Sequence, residues 1–406
     1  MMQIVIFDDD KRVNFFPITL NRSTGDLRCG ILKLRQRLEA EFCGDDAANF
    51  LIDPILIPLY KERHPDWQYE KPGIDLSLFI NSRIVLTEEA IKEISSMKAN
   101  TIVKHDDAFV AACLPISSSE FQKLIWSANI DGSMSVSSTD IKLYDNLSEL
   151  IHDNERLIRW DFDRYFYDKD NSFETEPGVT VLHPYNVWLA ENVQLSPGVV
   201  LDASEGPIII DESAKVMANA VLCGPLYVGK RSLVKIGAKI YGNTSIGPVC
   251  KVGGEIEGCI IQAYSNKQHD GFLGHAYIGE WVNMGADTNN SDLKNNYKSV
   301  NYYSYAQKAK IDSGSQFLGC IIGDHAKTGI NCSINTGTVI GMGCNVYGSH
   351  LISDFIPDFS WGEASLLMSY RFDAFCATTN TVKNRRKLSL TDIEKELYKQ
   401  IYSMEK

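Results

Sequence analysis

Apolar residues recur at every sixth position through the middle of the chain. Stepping by six from Ile210 reaches Val252 without meeting a polar residue, through Val216, Leu222, Val228, Val234, Ile240 and Ile246. The same period returns in three other stretches: Val187, Val193 and Val199; Phe272, Ile278 and Met284; and Ile322, Thr328, Ile334, Ile340 and Val346. Ordinary half-buried strands alternate with a period of two and do not generate strict sixes. This repeat therefore constrains the fold more than any other feature of the sequence.

A six-residue period predicts a solenoid with triangular coils, in which each side is one short strand followed by a corner. The apolar residue of each hexad then points into the prism. Glycine often follows that residue, as in Ile246-Gly247 and Ile340-Gly341, and suits tight corners. We expect a parallel β-helix over 181–350, with the polar stretch 291–314 protruding from it as a loop. The alternative is a β-sandwich of ordinary alternating strands.

The residues before 180 follow a different pattern. Apolar runs predict buried strands at 3–7, 84–86 and 108–112. Two apolar helical faces lie between them. One is formed by Ile31, Leu34, Leu38 and Phe42, and the other by Ile91, Ile94 and Met97 after a Thr87 cap. Strands alternating with helices indicate an α/β domain.

The chain after 350 is irregular and rich in aromatic residues until a last helix begins at Thr391. Glu394 completes a capping box with Thr391, and Ile393, Leu397 and Ile401 form one apolar face. We therefore expect three parts: an α/β domain at 1–180, a β-helix at 181–350 and a C-terminal extension at 351–406.

Composition and charge exclude several classes of protein. The 406 residues carry a net charge of −12 and show no basic stripe with interleaved aromatic residues, which argues against nucleic-acid binding. The chain has no apolar run of 18 residues, and its start meets three aspartates too early for a signal peptide, so we expect neither a membrane protein nor a secreted one. Ten cysteines without a CxxC pair predict reduced thiols in the cytoplasm.

Two segments of the solenoid carry a specific resemblance. The run 266–274, NKQHDGFLG, leads into 278–288, IGEWVNMGADT, and an earlier coil reads IGPVCK at 246–251. These segments resemble the acetyltransferase half of the bifunctional GlmU-type enzymes, in a divergent branch of the kind found in Bacteroidetes. In that family an N-terminal nucleotidyltransferase precedes a left-handed β-helix that transfers acetyl groups, and the acetyl site is shared within a homotrimer.

The resemblance implies roles for individual residues. His269 falls on the family's catalytic base, and Asn283, Lys251 and Phe272 fall on positions that contact the sugar or its phosphate. Lys267 is a candidate replacement for a phosphate-binding lysine that is Glu257 here. Ala286, Lys327 and Thr328 fall on coils that line the coenzyme A cleft. The basic run 383–387 either contacts phosphates of coenzyme A or is a solvated stretch before the last helix.

The N-terminal domain resembles the family less closely at its phosphate-binding loop. The family has a glycine-rich loop after its first strand, and such loops work by bringing bare backbone N–H groups against phosphates. Here that loop reads DDDKRVN at 8–14, so Asp10 and Arg12 stand where the family has glycines. If the domain uses UTP and Mg²⁺, Asp8 and Asp9 are the candidate metal ligands.

The resemblance implies acetyl-CoA-dependent N-acetylation of an amino-sugar 1-phosphate, with glucosamine 1-phosphate as the first candidate. The N-terminal domain would then contribute nucleotidyl transfer toward a nucleotide sugar of the UDP-N-acetylglucosamine type. The alternative is a trimeric scaffold or regulatory protein that binds nucleotide sugars and whose two catalytic sites have decayed.

Overall fold

The computed structural model describes residues 3–44, 47–70, 75–127, 134–172 and 177–404. The first part of the chain forms a mixed six-stranded sheet with helices on both faces, in the order β2-β1-β3-β5-β4-β6. Its strands are β1 (Gln3–Phe7), β2 (Asn49–Leu51), β3 (Ser77–Asn81), β4 (Thr101–His105), β5 (Ala108–Leu114) and β6 (Ser135–Ser138). Its helices are α1 (Leu34–Phe42), α2 (Ile57–Arg63), α3 (Glu88–Ser95), α4 (Ser118–Ser127) and α5 (Leu147–Asp161).

The register of this sheet brings three loops to one edge. β1 runs parallel to both β2 and β3, so the residues that follow β1 and β3 emerge side by side. The β4–β5 turn lies at the same end, because β5 runs antiparallel to β3. Parallel open sheets bind ligands at such an edge, beyond the carboxyl ends of their strands.

The predicted strands 3–7 and 108–112 and both predicted helices are confirmed. The strand expected at 84–86 is wrong. Only Ile84 pairs there, in a single bridge with Leu143, while the rest of the segment leads into Thr87. The Thr87 side chain accepts a hydrogen bond from the Ala90 N–H and caps α3, as predicted. In the segment 84–86, Ile84 and Leu86 are buried by packing, and the segment does not extend the sheet.

The middle of the chain is a left-handed parallel β-helix with three faces. The first face, here called the covered face, has nine strands: Val187–Leu189, Ile208–Ile210, Leu226–Val228, Thr244–Ile246, Ile260–Ile261, Tyr277–Ile278, Ile321–Ile322, Val339–Ile340 and Phe355–Ile356. Coils therefore continue to 356, beyond the boundary expected at 350.

The second face, here called the polar face, begins with Gln194–Leu195, Lys215–Val216, Leu233–Val234, Lys251–Val252 and Asn266–Lys267. It continues through Asn283 to Lys327–Thr328, Asn345–Tyr347, Ser360–Glu363 and Leu366–Ser369. The third face holds Thr180–Leu182, Val200–Asp202, Val221–Cys223, Lys239–Ile240, Glu255–Glu257, Phe272–Gly274, Asn289–Asn290 and Ser333–Ile334. The edge at which the polar face turns into the third face is called the site edge below.

The hexad prediction is confirmed from Ile210 to Val252, since all eight residues are buried inside the prism. Small residues two positions earlier also point inward, and Cys250, Cys259 and Cys320 are among them. One detail differs from the prediction. Phe272 is half-exposed, and its neighbour Leu273 takes the inward position.

The stretch 291–314 leaves the prism as expected, but it is not a free loop. It forms an antiparallel hairpin of Asn301–Ser304 and Ala309–Asp312. Val300 and Tyr302 at its base are buried in one apolar cluster with Phe15 and Tyr144 of the N-terminal domain. The sequence did not indicate this contact, because the stretch is mostly polar and only a few of its residues are apolar and buried.

The N-terminal domain packs on the covered face. Outward residues of that face, such as Ile209, Tyr227 and Tyr277, are buried against it. Arg22 forms a buried ion pair with Asp324, and Asn21 donates a hydrogen bond of 3.0 Å to the same carboxylate. The two domains therefore share one interface with its own core.

The C-terminal extension adds two helices, α6 (Phe372–Asn384) and α7 (Asp392–Met404), of which the sequence predicted only the second. The capping box is confirmed, since Thr391 and Glu394 exchange hydrogen bonds of 3.1 and 3.2 Å. Both helices pack against the N-terminal domain and the last coils in one apolar cluster. No helix in the described ranges is both long and apolar enough to span a bilayer.

Candidate active site

Four of the outward side chains on the polar face form a ladder with one residue per coil. Lys251 pairs with Asn266, and isolated bridges continue the ladder to Asn283 and then to Lys327. The Asn266 and Asn283 side chains lie 3.4 Å apart between amide nitrogen and oxygen. Because parallel strands in register stack equivalent positions, the predicted residues Lys251, Asn283 and Lys327 meet on one surface.

His269 lies on the site edge, in the corner between Asn266–Lys267 and Phe272–Gly274. Its side chain is exposed, and within the described residues its imidazole takes part in no hydrogen bond. The imidazole is therefore open to a ligand that lies against the polar face.

The Lys267 side chain lies inside the prism, away from the surface on which the sequence placed it. Its register partner is Val252, an inward residue, and the Lys267 side chain is only 4% exposed. The Nζ atom donates hydrogen bonds to the His269 carbonyl at 2.7 Å and the Gly253 carbonyl at 3.2 Å. Burial lowers the pKa of Lys267 to about 8, although Asp270 and Asp287 oppose the shift. A direct contact between Lys267 and a substrate phosphate is thus excluded in this conformation.

Four cations converge beside the ladder. Partial burial lowers the pKa of Lys251, and Arg386, Arg385 and Lys235 add to the shift because they lie nearby. Arg386 also donates a hydrogen bond of 3.2 Å to the Asn266 side chain. Within the described residues none of these four cations forms an ion pair with a carboxylate. An uncompensated positive cluster on a chain of net charge −12 favours an anionic ligand.

The remaining predicted residues are not all at this surface. Phe272 faces outward on the third face, next to the site edge. Ala286 lies in the next corner along that edge, where its carbonyl accepts a hydrogen bond from Asn331.

Lys327 lies on the ladder, but its Nζ donates to the His325 carbonyl at 2.9 Å, and burial lowers its pKa to about 8. Thr328 is buried inside the prism, where its hydroxyl accepts a hydrogen bond from the Gly285 N–H and contacts Thr288. The hydroxyl of Thr328 is thus used within the prism, and its role in binding coenzyme A stays a prediction.

The N-terminal domain has a second candidate site, at the sheet edge beyond β1. Two adjoining clefts of about 740 and 400 Å³ open there, and Lys11, Asp107 and Ala108 line both. Lys11 and Asp10 are exposed. Arg12 turns away from the clefts and binds the Thr19 carbonyl and the Asp53 carboxylate. Instead of a glycine-rich loop, residues Asp10–Phe15 form a short 3₁₀ helix capped by Asp9.

The carboxylates of the two predicted metal ligands are occupied by hydrogen bonds and an ion pair within the protein. Asp8 accepts hydrogen bonds from the Ser23 and Ser82 hydroxyls and the Thr24 N–H, and burial raises its pKa. Asp9 makes a two-pronged ion pair with Arg83, at 2.9 and 2.6 Å, and accepts from Asn81. All four carboxylate oxygens are occupied, and the described residues contain no cluster of three metal-ligating side chains. Mg²⁺ does not fit Asp8 and Asp9 as they stand.

Known proteins are similar to both parts of the chain. Residues 4–169 match the family model described as sugar nucleotidyl transferase. Bifunctional protein GlmU of Synechococcus elongatus is 25% identical over 230 residues, which cover 52% of this chain and 47% of that one. The bifunctional sugar-1-phosphate nucleotidylyltransferase/acetyltransferase of Sulfurisphaera tokodaii is 30% identical over 184 residues, which cover 44% and 45% of the two chains. The chain is therefore similar to GlmU-type proteins.

The matched parts span about half the length of these GlmU relatives. Among solved structures, LpxA from Acinetobacter baumannii is similar at 14% identity with a TM-score of 0.30, over 52% of this chain and 81% of that one. None of these matches tests the placement in a Bacteroidetes-style branch.

The sequence did not place three cations next to Lys251. Lys235, Arg385 and Arg386 reach Lys251 only because coils stack and because α6 ends beside the polar face. The basic run 383–387 is the one signal for Arg385 and Arg386 in the sequence, and it fits either a phosphate contact or a solvated stretch. In the N-terminal domain, Asn81 and Arg83 follow β3 and bind Asp9, a contact that the parallel register of β1 and β3 brings about.

Proposed function

We propose that the β-helix transfers the acetyl group of acetyl-CoA to the amino group of an amino-sugar 1-phosphate, with glucosamine 1-phosphate as the first candidate. The observation that carries this proposal is the exposed His269 on the site edge, next to a ladder of amides and four uncompensated cations. A proton acceptor beside an anion-binding surface matches a substrate that carries both an amine and a phosphate.

In this proposal each group has one task. Lys251, with Lys235, Arg385 and Arg386 around it, binds the phosphate, and the amides of Asn266 and Asn283 bind sugar hydroxyl groups. The His269 imidazole takes a proton from the amino group as the nitrogen attacks the thioester carbonyl, because imidazole exchanges protons near neutral pH. The new C–N bond replaces the C–S bond, and the coenzyme A thiolate leaves with the proton that His269 accepted. No covalent enzyme intermediate is required.

We propose nucleotidyl transfer for the N-terminal domain, at the clefts lined by Lys11. The family match over 4–169 supports this activity, and UTP is the first candidate nucleotide. No step of this proposal uses a metal held by Asp8 and Asp9. We also propose a cytoplasmic location, because ten cysteines without a CxxC pair are typical of a reducing compartment.

We also propose a homotrimer that packs through the site edge. The covered face is occupied by the N-terminal domain, so a threefold contact must use the other two faces. Large apolar residues are exposed along the site edge, among them Ile236, Ile330 and Tyr347. Such residues on an otherwise polar surface favour a contact with another protein copy.

The test follows release of the coenzyme A thiol from acetyl-CoA when glucosamine 1-phosphate is added. His269→Ala is expected to lower kcat by about 10²- to 10⁴-fold, the usual contribution of a general base. His350→Ala, at an exposed histidine of a later coil, is the matched control and should keep the wild-type rate. Equal rates for the two variants would remove His269 as the base. An inactive wild type that binds the substrates would favour the scaffold alternative.

A further inference from the structure

Lys267 occupies a place where other coils have an uncharged residue. The inward column of the polar face runs through Leu195, Val216, Val234, Val252, Lys267, Met284, Thr328 and Val346. Taking an ammonium group out of water is costly unless it is hydrogen-bonded. A lysine at this position therefore needs hydrogen-bond acceptors for its ammonium group.

The corner below Lys267 is shortened, and this opens a space for the side chain. From Val234 to Ile240, the inward strand residue of the next face, the chain takes six residues, whereas between the equivalent residues Val252 and Ile256 it takes four. The short corner contains Gly254 in a left-handed conformation with φ of 73°. A Cβ atom on Gly254 would lie 2.8 Å from both Lys267 Nζ and the His269 carbonyl oxygen, so only glycine leaves this space open.

The Nζ atom spans two coils through this space. It donates to Gly253 of the shortened corner and to His269 of its own corner, at 3.2 and 2.7 Å. The His269 imidazole has no hydrogen-bond partner among the described residues, so its direction depends on the backbone that carries it. A bond to the carbonyl of the same residue fixes that backbone directly.

We propose that Lys267 is a positioning residue, which holds the His269 backbone and thereby fixes the place of the imidazole on the site edge. This inference rests on the proposed function of His269. It differs from the role that the sequence suggested for Lys267, because the lysine acts from inside the prism and does not touch substrate. Gly254 belongs to the same arrangement, since it keeps the path between the two groups free.

The test compares Lys267→Met, which keeps the length of the side chain and removes the donors, with Val234→Ala as the control. Val234 is an inward residue of the same column two coils away, and its truncation disturbs packing without touching His269. We expect Lys267→Met to lower kcat by about 10- to 100-fold with KM values within about twofold of wild type, because the base is misplaced and the binding surface is intact. Val234→Ala should leave both constants unchanged.

A second readout does not depend on activity. Hydrogen exchange of the peptide covering 266–273, measured by mass spectrometry on the full chain, should be faster in Lys267→Met and unchanged in Val234→Ala. If Lys267→Met does not fold, Lys267→Gln replaces it, since a glutamine amide keeps one donor inside the prism. Unchanged exchange, or a kcat within twofold of wild type in an active enzyme, overturns the proposal. Failure of the proposed function gives a different result. The wild type would then be inactive, while hydrogen exchange of the 266–273 peptide would still be faster in Lys267→Met.

Discussion

At the end of β1, the carboxylate of Asp8 accepts the hydrogen bonds that a phosphate oxygen would take in a phosphate-binding loop. The Thr24 N–H and the hydroxyls of Ser23 and Ser82 all point at it. Asp9 neutralises Arg83 in the same way. Charges and donors of the type that bind nucleotides are thus present, but they are satisfied within the chain. Asp10 and Lys11 remain exposed to the clefts.

We therefore expect weak binding of UTP and Mg²⁺, with no saturation in the micromolar range. Asp10→Gly removes one exposed negative charge beside the cleft and should tighten binding by about fivefold, since an exposed charge contact is worth about 1 kcal/mol. Isothermal titration of the full chain measures both, with Asp66→Gly as a control at an exposed carboxylate that lines neither cleft. Micromolar binding that is lost in Asp9→Ala would show instead that Asp9 exchanges Arg83 for the metal.

His64 gives a pH dependence at the scale of one residue. Burial lowers its pKa to about 4, and its ring stacks on Trp67 with centroids 3.8 Å apart. In the unfolded chain a histidine titrates near pH 6.5. Between pH 6.5 and 4 the unfolded state therefore binds the proton and the folded state does not, so stability falls as the pH is lowered. Urea midpoints at pH 7 and 4.5 should differ less in His64→Gln than in wild type, and an equal difference would contradict this assignment.

At the scale of the elements, the hexad positions carry the stability of the prism. Leu222 is fully buried among the inward residues of the third face. Leu222→Ala should lower the free energy of unfolding by about 2–5 kcal/mol, since the stacked coils cannot collapse into the space left. Leu388→Ala, at a leucine that is 41% exposed before α7, should change it by less than about 1 kcal/mol. Denaturant titrations compare the two, and similar losses would argue against a prism held by its inward column.

The elements that were predictable are those whose pattern is local. The hexads from Ile210 to Val252 report burial directly, and the Thr391 capping box lies within four residues. The sequence could not place Phe272, because the step from the inward Leu273 to the inward Ile278 is only five residues, and a strict step of six back from Ile278 reaches Phe272. It also could not show α6 or the packed hairpin at 301–312, whose partners lie in the distant N-terminal domain. For the site, the motif gave His269 and Asn283, whereas the direction of Lys267 depends on the register of two coils.

At the scale of the whole molecule, the N-terminal domain covers one face of the prism and leaves the other two uncovered. The buried pair of Arg22 and Asp324 and the shared core fix the N-terminal domain on the covered face. The site edge, with His269 and the exposed Ile236 and Ile330, then lies away from that domain. Both candidate sites of one chain therefore stay open to separate ligands.

We expect light scattering at micromolar concentration to give about three times the chain mass of 45.5 kDa. Ile330→Asp places a charge in the apolar strip of the site edge, and should shift the protein toward monomer, because a buried unpaired charge is costly. Leu366→Asp, at another exposed residue in the hairpin that follows the last coil, is the comparison. A monomeric wild type would contradict the trimer, and with it the sharing of the site between copies.

The interior cysteines have a consequence for the chemistry of oxidation. Burial raises the pKa of Cys250 and of Cys320 to about 12, and Cys259 shifts in the same direction. Only the thiolate reacts readily with peroxides and disulfides, and such reagents would also have to enter a close-packed prism. These thiols are therefore unreactive while the coils are folded. Oxidative damage to them would require the prism to open first, so its rate would be set by unfolding and not by the oxidant.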